Sequence, residues 1–346
     1  MRVKSGESNR MTQVWHKITD CVNNADILSA AADRLRSGGL VVFPTETVYG
    51  LGANGLDAKA VRKVFDLKGR PAHNPLILHV ADSDQARRLT TTWPREAEIL
   101  AAAFWPGPLT LVLPKADCVP DEVTAGGPTV AIRVPVHPVA LELLRLAHVP
   151  VAAPSANRSG EISPTKVEHV LRSFGHRIHE IDLILDAGPT QVGLESTVVS
   201  LDGPPTLLRP GMISVPQIEE KLGLRLKILD LHETLAASLP SPGLLKRHYA
   251  PHTPLELRQP GAMRDGTQRP PQGERWAWVT LDPTDPPFPM EVRLMPSDPK
   301  AYAARLYDVL HELDALGLDR IIVDLPPAGP AWQAIHNRLT RAAAQD

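Results

Sequence analysis

The sequence predicts a two-domain protein that mixes helices with strands, either α/β or α+β. Three observations carry this. At 346 residues the chain exceeds what one hydrophobic core organises, and about 150 residues per domain points to two domains. Short apolar runs of strand length alternate with stripes of helical spacing over most of the chain. Between about Leu222 and Pro254 that periodicity lapses, as expected where few contacts cross from one domain to the next.

Taking the elements in order, Ile27, Leu28, Ala31 and Leu35 recur at helical spacing and stop at Gly38-Gly39, which predicts a helix closed by a glycine cap. Leu40 to Phe43 reads as a buried strand. Val61, Val64 and Phe65 predict a second helix over 58–67, and Leu76 to Leu78 a second strand that closes at His79. Further strands are predicted at 109–113, 130–134, 149–153, 183–185 and 197–201, with helices at 95–104, 138–147 and 165–174. Thr165-Lys166-Val167-Glu168 fits the capping-box pattern, and Ser163-Pro164 marks the turn before it. Beyond the linker, 276–281 and 320–325 read as strands, Tyr302, Leu306, Val309, Leu313 and Leu316 form a helical stripe, and 331–344 a last helix. The loops 261–272 and 282–289 are long and proline-rich, so mobility is expected there.

Composition narrows the class. Hydrophobic residues at 43% and charged residues at 22% are ordinary for a globular protein. The formal net charge of -2 gives no global field for nucleic acid. Cys21 and Cys118 stand far apart without ligand spacing, which argues against a zinc site or a disulfide scaffold and fits a reducing cytoplasm. No apolar stretch is long enough for a signal peptide or a membrane span, so a soluble cytoplasmic protein is expected. Proline is the outlier, at 35 residues about twice the usual fraction of roughly 5%.

Several constellations have residue types suited to chemistry. Phe43-Pro44-Thr45-Glu46-Thr47-Val48-Tyr49-Gly50-Leu51-Gly52 sets hydroxyls and two glycines at a strand end, without the third glycine of a dinucleotide fingerprint; a plain polar turn reads equally well. Lys68-Gly69-Arg70 precedes Pro71 and Asn74-Pro75; an extended Lys-x-Arg would point both cations one way, and a point charge beside a forked guanidinium suits a polyphosphate. The bland reading is a solvated helix exit. Ala153-Pro154-Ser155-Ala156-Asn157 follows an apolar strand with small residues and offers a hydroxyl and an amide, although such a segment alone is most often a turn. Arg133 lies inside an apolar strand, where it must either pair with an internal carboxylate or hold a substrate's. Glu195-Ser196-Thr197 and Leu208-Arg209-Pro210 add hydroxyls and another arginine near strand ends. His176 and His179 are spaced i, i+3 with no completing ligand, so no metal held by side chains is expected.

Together, Lys68-x-Arg70, Ser155-x-Asn157, Pro-Thr-Glu-Thr-Val-Tyr-Gly-Leu-Gly at 44–52 and Glu-Ser-Thr-Val-Val at 195–199 resemble the YrdC-like family of threonylcarbamoyl-adenylate synthases. Ser241-Pro242-Gly243 and Arg247-His248-Tyr249-Ala250-Pro251 resemble its long, two-domain form. The resemblance implies a twisted, mostly antiparallel or mixed sheet around a concave basic cavity, in place of a parallel doubly wound sheet. It divides the chain into a catalytic domain at 25–223, a linker and active-site lid at 224–253, and a small Rossmann-like domain at 254–346.

It further implies a nucleotidyltransferase that joins ATP, L-threonine and bicarbonate or CO2 into threonylcarbamoyl-AMP and pyrophosphate. By that analogy Lys68 and Arg70 are catalytic and bind ATP with Asn74, Thr129, Ser155, Asn157, Ser163, Arg209, His248 and Tyr249. Thr47, His79, Arg133, Ala153 and Ser196 would hold threonine. Mg2+ would accompany the triphosphate, with no tightly bound organic cofactor. The product would pass to a separate transferase that modifies tRNA beside the anticodon, with weak tRNA contact as a further expectation. The competing class is an RNA-binding module of the same fold, which the near-neutral charge and 4% aromatic content disfavour. Carbamoyl transfer of the hydrogenase-maturation kind would need modules that this chain lacks.

Overall fold

The computed structural model describes residues 14–229, 247–263, 269–282 and 288–344. The first domain is built on strands β1 (Trp15–Lys17), β2 (Val41–Phe43), β3 (Gly50–Asn54), β4 (Ile77–His79), β5 (Leu109–Pro114), β6 (Thr129–Arg133), β7 (Val151–Ala152), β8 (Leu183–Asp186), β9 (Thr197–Ser200), β10 (Thr206–Arg209) and β11 (Lys227–Ile228). They lie in the order β1-β8-β2-β3-β7-β4-β6-β5-β9-β10-β11. Antiparallel pairs such as β3 with β7 and β5 with β6 alternate with parallel ones such as β4 with β6 and β5 with β9. The sheet is therefore mixed, as the family resemblance implied.

Both faces of this sheet are covered, which explains why its strands read as unbroken apolar runs. Side chains alternate across a strand, so Val41 and Phe43 pack with Leu28, Leu35 and Leu143 while Val42 packs with Val61, Val64 and Leu78 on the opposite face. Helices Ala25–Arg36 and Pro138–Ala147 cover the first face, and Ala58–Lys68 and Val167–Phe174 the second.

The capping box expected at Thr165 is overturned. The helix opens at Val167 with Lys166 as its N-cap and no side-chain cap bond. Thr165 is engaged in buried contacts instead: its carbonyl accepts from the Thr190 amide at 2.9 Å and its hydroxyl lies 3.4 Å from His169 Nδ1. A capping box does form at Ser214 and Gln217, opening a helix Val215–Leu222 that the periodicity did not reveal. Gly50 to Gly52, for which a plain polar turn is one of the two open readings, is part of β3, paired with β2 on one side and β7 on the other. Pairing on both sides overrides the low strand propensity of glycine.

The second domain has four parallel strands, β12 (Leu255–Arg258), β13 (Trp276–Thr280), β14 (Glu291–Leu294) and β15 (Arg320–Asp324), in the order β12-β15-β13-β14. Helices Pro299–Asp314 and Gln333–Ala342 pack against it. Tyr302, Leu306, Val309 and Leu313 of the expected stripe are buried, but Leu316 is exposed because the helix ends at Asp314. The two domains share one apolar cluster, in which Val48, Ile162, Leu194 and Tyr249 meet Tyr302, Leu306, Tyr307 and Leu310. The first sheet takes in residues to Ile228, since β11 pairs with β10 and Leu226 is buried against Leu100 and Leu109. Of the expected linker, 230–246 including Ser241-Pro242-Gly243 lies outside the described residues, as do 264–268 and 283–287 of the two long loops. Among the described residues no helix is long and apolar enough to cross a membrane.

Candidate active site

The ends of β4, β6 and β10, the turn after β2 and the segment after β7 converge on a cleft of about 560 Å³, open mouth included. Thr47, His79, Arg133, Ala153 and Ser196 all line it, and so do Arg70, Ser155, Arg209, His248 and Tyr249. Residues from distant parts of the chain thus meet in one place.

One corner is organised around Arg133. Its Nη2 lies 2.6 Å from Glu46 Oε1, both side chains being 4% exposed, while Nη1 donates to Thr47 Oγ1 at 2.9 Å and Nε to the Gly107 carbonyl at 3.2 Å. An internal carboxylate therefore does balance this buried charge, and the guanidinium still fronts the cleft with an N–H remaining on each terminal nitrogen. Thr45 donates to the Val48 carbonyl at 2.6 Å and lies 2.8 Å from Thr47 Oγ1, fixing that hydroxyl. His79 stands beside Arg133 in register between β4 and β6. Burial, then the Arg133 charge, pushes its pKa down to about 3, so the ring is a neutral donor and acceptor at ordinary pH. Ser196 Oγ lies 2.7 Å from Thr110 Oγ1.

The other corner is cationic, and its geometry differs from an extended Lys-x-Arg. Lys68 ends helix Ala58–Lys68, and Gly69 caps it in the left-handed region at φ +60, where only glycine sits without strain. The chain turns back so that the Arg70 amide donates to the Phe65 carbonyl at 2.9 Å. Arg70 reaches the cleft, braced by the Asn74 carbonyl at 2.9 Å and Asn74 Oδ1 at 2.7 Å. Lys68 points behind the cleft wall, donating from Nζ to the carbonyls of Ser155 (2.6 Å) and Asn157. Burial, and after it the Arg70 charge, holds the pKa of Lys68 well below the usual lysine range.

Nor are Ser155 and Asn157 extended together. Ser155 bridges to Gly50 and lines the cleft, whereas the Asn157 amide turns away to the carbonyls of Arg158 at 3.0 Å and Glu161 at 2.9 Å. Ser163 also sits behind the wall, donating to Glu195 Oε1 at 2.6 Å. Thr129 opens β6, about 13 Å from Arg133 at four steps of roughly 3.3 Å, and does not line the cleft. Arg209 donates to the Ser196 carbonyl at 3.0 Å and to Ser196 Oγ at 3.2 Å. Tyr249, at φ +61, lies in edge contact with His248, whose pKa burial lowers to about 3.

Glu195 carried no individual expectation and is a lining residue. Burial raises its pKa, but Arg338, Arg209 and Ser163 outweigh that and hold it at about 2. An acid set within an otherwise cationic set of motifs was the available signal. Thr45 and Glu46 stood in a motif read for its hydroxyls; Arg338 had no signal at all. His176 and His179 are exposed in the turn Gly175–Glu180, and no group of three or more His, Cys, Asp or Glu suited to a metal occurs among the described residues.

The Sua5/YciO/YrdC family model, described as telomere recombination, matches residues 33–211, and the one described as the threonylcarbamoyl-AMP synthase C-terminal domain matches 213–344. The chain belongs to the Sua5/YciO/YrdC family. Within it, the chain is similar to the threonylcarbamoyl-AMP synthase of Bacillus subtilis, with 44% identity over 96% of this chain and 98% of that protein. The synthase of Pyrococcus abyssi is 40% identical, over 90% of this chain and 93% of its own. The solved structure of Pyrococcus abyssi Sua5 complexed with L-threonine superposes with a TM-score of 0.86 at 38% identity, covering 95% of this chain and 97% of that one.

Proposed function

We propose that this chain is an L-threonylcarbamoyladenylate synthase that condenses ATP, L-threonine and bicarbonate or CO2 into threonylcarbamoyl-AMP and pyrophosphate. The observation that carries the reading is a single cleft joining a carboxylate-type site at Arg133 to a polyanion-type site at Arg70 and Arg209. The full-length likeness to threonylcarbamoyl-AMP synthases, and to a relative solved with L-threonine, supports it.

The remaining N–H groups of Arg133 can grip the amino-acid carboxylate as a fork. Neutral His79, Thr47, Ser196 and the small Ala153 then border its amine and hydroxyl. The amine nitrogen bonds to the carbon of CO2 and loses a proton, giving a carbamate. A carbamate oxygen then attacks the α-phosphorus, the bond to the bridging oxygen breaks, and pyrophosphate leaves with both electrons of that bond. Arg70 and Arg209, held by Asn74 and Ser196, face the charge that grows on phosphoryl oxygens, with Lys68 behind them. Alignment of carbamate and phosphorus removes much of the entropic barrier. Ser155, His248 and Tyr249 line the cleft and would meet ATP directly, whereas Asn157 and Ser163 act from behind its wall and Thr129 lies outside it. Mg2+ would enter with the triphosphate on phosphate oxygens and water, because Glu195 is engaged by Ser163 and Arg338.

The product fits a tRNA threonylcarbamoyl transfer step by a separate enzyme, and ATP as substrate fits the cytoplasm. Incubation with ATP, L-threonine and bicarbonate, with pyrophosphate and adenylate measured by mass, is expected to give both products. No product with all three substrates present would overturn the proposal.

A further inference from the structure

We infer that the second domain supplies a positioning residue to the nucleotide site: Arg338, with Tyr307, neutralises and orients Glu195 in the cleft wall. This rests on the reading of the cationic corner as the ATP site.

Glu195 is the one acid among the described lining residues, and an unmasked carboxylate there would repel a triphosphate. Arg338, on helix Gln333–Ala342 and with no exposed side-chain surface, brings its Nε within 2.7 Å of Glu195 Oε2. Tyr307, on helix Pro299–Asp314, directs its hydroxyl to the same oxygen at 3.2 Å. Among the described residues the first domain gives this carboxylate the Ser163 hydroxyl and the nearby charge of Arg209, while the second domain gives it the Arg338 ion pair and the Tyr307 hydroxyl.

Two further contacts carry this arrangement into the cleft. The Arg338 guanidinium lies 4.9 Å from the centre of the Tyr249 ring, itself a lining residue. The residue after Glu195 is Ser196, whose carbonyl and hydroxyl hold Arg209. The approach is close: Gly193 at φ +77 leaves room for the second domain's helix, and a Cβ there would stand 2.5 Å from the Ala303 carbonyl oxygen. The second domain's helix thus packs directly against the segment that leads into Glu195 and Ser196.

The test measures KM for ATP and for threonine separately in R338M, Y307F, E195Q/R338M and, as a control on the cleft itself, R70M. R338M is expected to raise KM for ATP about 30-fold, since it takes the ion-pair partner from a buried carboxylate beside the phosphates, with KM for threonine within about threefold of the parent. Y307F should give about a tenfold rise. Removing the orphaned charge in E195Q/R338M should recover most of the ATP affinity, which a merely structural arginine would not do. Should R338M fail to fold, Y307F decides, because it deletes one hydroxyl and keeps the ring. Unchanged KM for ATP in R338M and Y307F, or equal losses for both substrates unrelieved by E195Q, would overturn the inference. If R70M also leaves KM for ATP unchanged, the nucleotide assignment of the cleft fails first.

Discussion

Glu46→Gln isolates the buried ion pair beneath the threonine corner. Both partners are 4% exposed, so solvent screens them little, and Gln keeps the shape while removing the charge that balances Arg133. Breaking a buried pair from one side costs about 3–5 kcal/mol, and retention of an acceptor oxygen puts this case at about 3. For a cooperative unit of roughly 200 residues that is a drop in Tm of about 6–12 °C. The same change exposes what Arg133 is for. With Glu46 neutral, the carboxylate of bound L-threonine becomes the counter-ion, so saturating threonine should raise the Tm of the variant by several degrees more than that of the parent. Scanning fluorimetry with and without threonine measures both terms. A variant that melts within about 2 °C of the parent, or a threonine shift no larger than the parent's, would show that Glu46 does not balance Arg133 or that the carboxylate binds elsewhere.

Three other outcomes are expected. His79, His248 and His311 all have pKa values lowered to about 3 by burial, so each favours folding above its unfolded value near 6.5 and loses that contribution as pH falls toward 3. At pH 5 this amounts to about 2 kcal/mol per histidine, while Glu195, held at about 2, begins to lose its contribution only below about 4.5. Equilibrium unfolding that is equally stable at pH 7.5 and 5 would contradict these burial assignments. Gly69→Ala should cost about 1 kcal/mol through its left-handed φ, since its Cβ would meet nothing, and Gly69→Asn less; urea unfolding that ranks Asn below Ala would refute the strain argument. Truncation before Ser241 removes Tyr249 and Arg338 and bares Val48, Ile162 and Leu194, so adenylate formation should fall sharply and the fragment should aggregate. Unchanged kinetics would remove both the linker and the second domain from the site.

The mixed α/β character, most helices and the long strands are legible in the sequence, because their burial pattern repeats at the helix or strand period. Helix Arg95–Phe104 and strand Thr129–Arg133 fall within a residue of where periodicity put them. The segments that carry unusual polar residues are legible too. Elements such as Gly50–Asn54 and the two-residue Lys227–Ile228 were not legible, since their pairing is set by neighbours far along the chain rather than by their own composition. Side-chain direction followed the same division. Alternation suggested that Lys68 and Arg70 point together, but a glycine cap separates them, and Asn157 turns inward to backbone carbonyls. That Arg133 has an internal partner in Glu46, and that Arg338 reaches Glu195 from 143 residues away, emerges from packing alone. The physical reason is that a charge leaves no periodic trace; its partner is chosen by packing, which brings the two together only once both domains have folded.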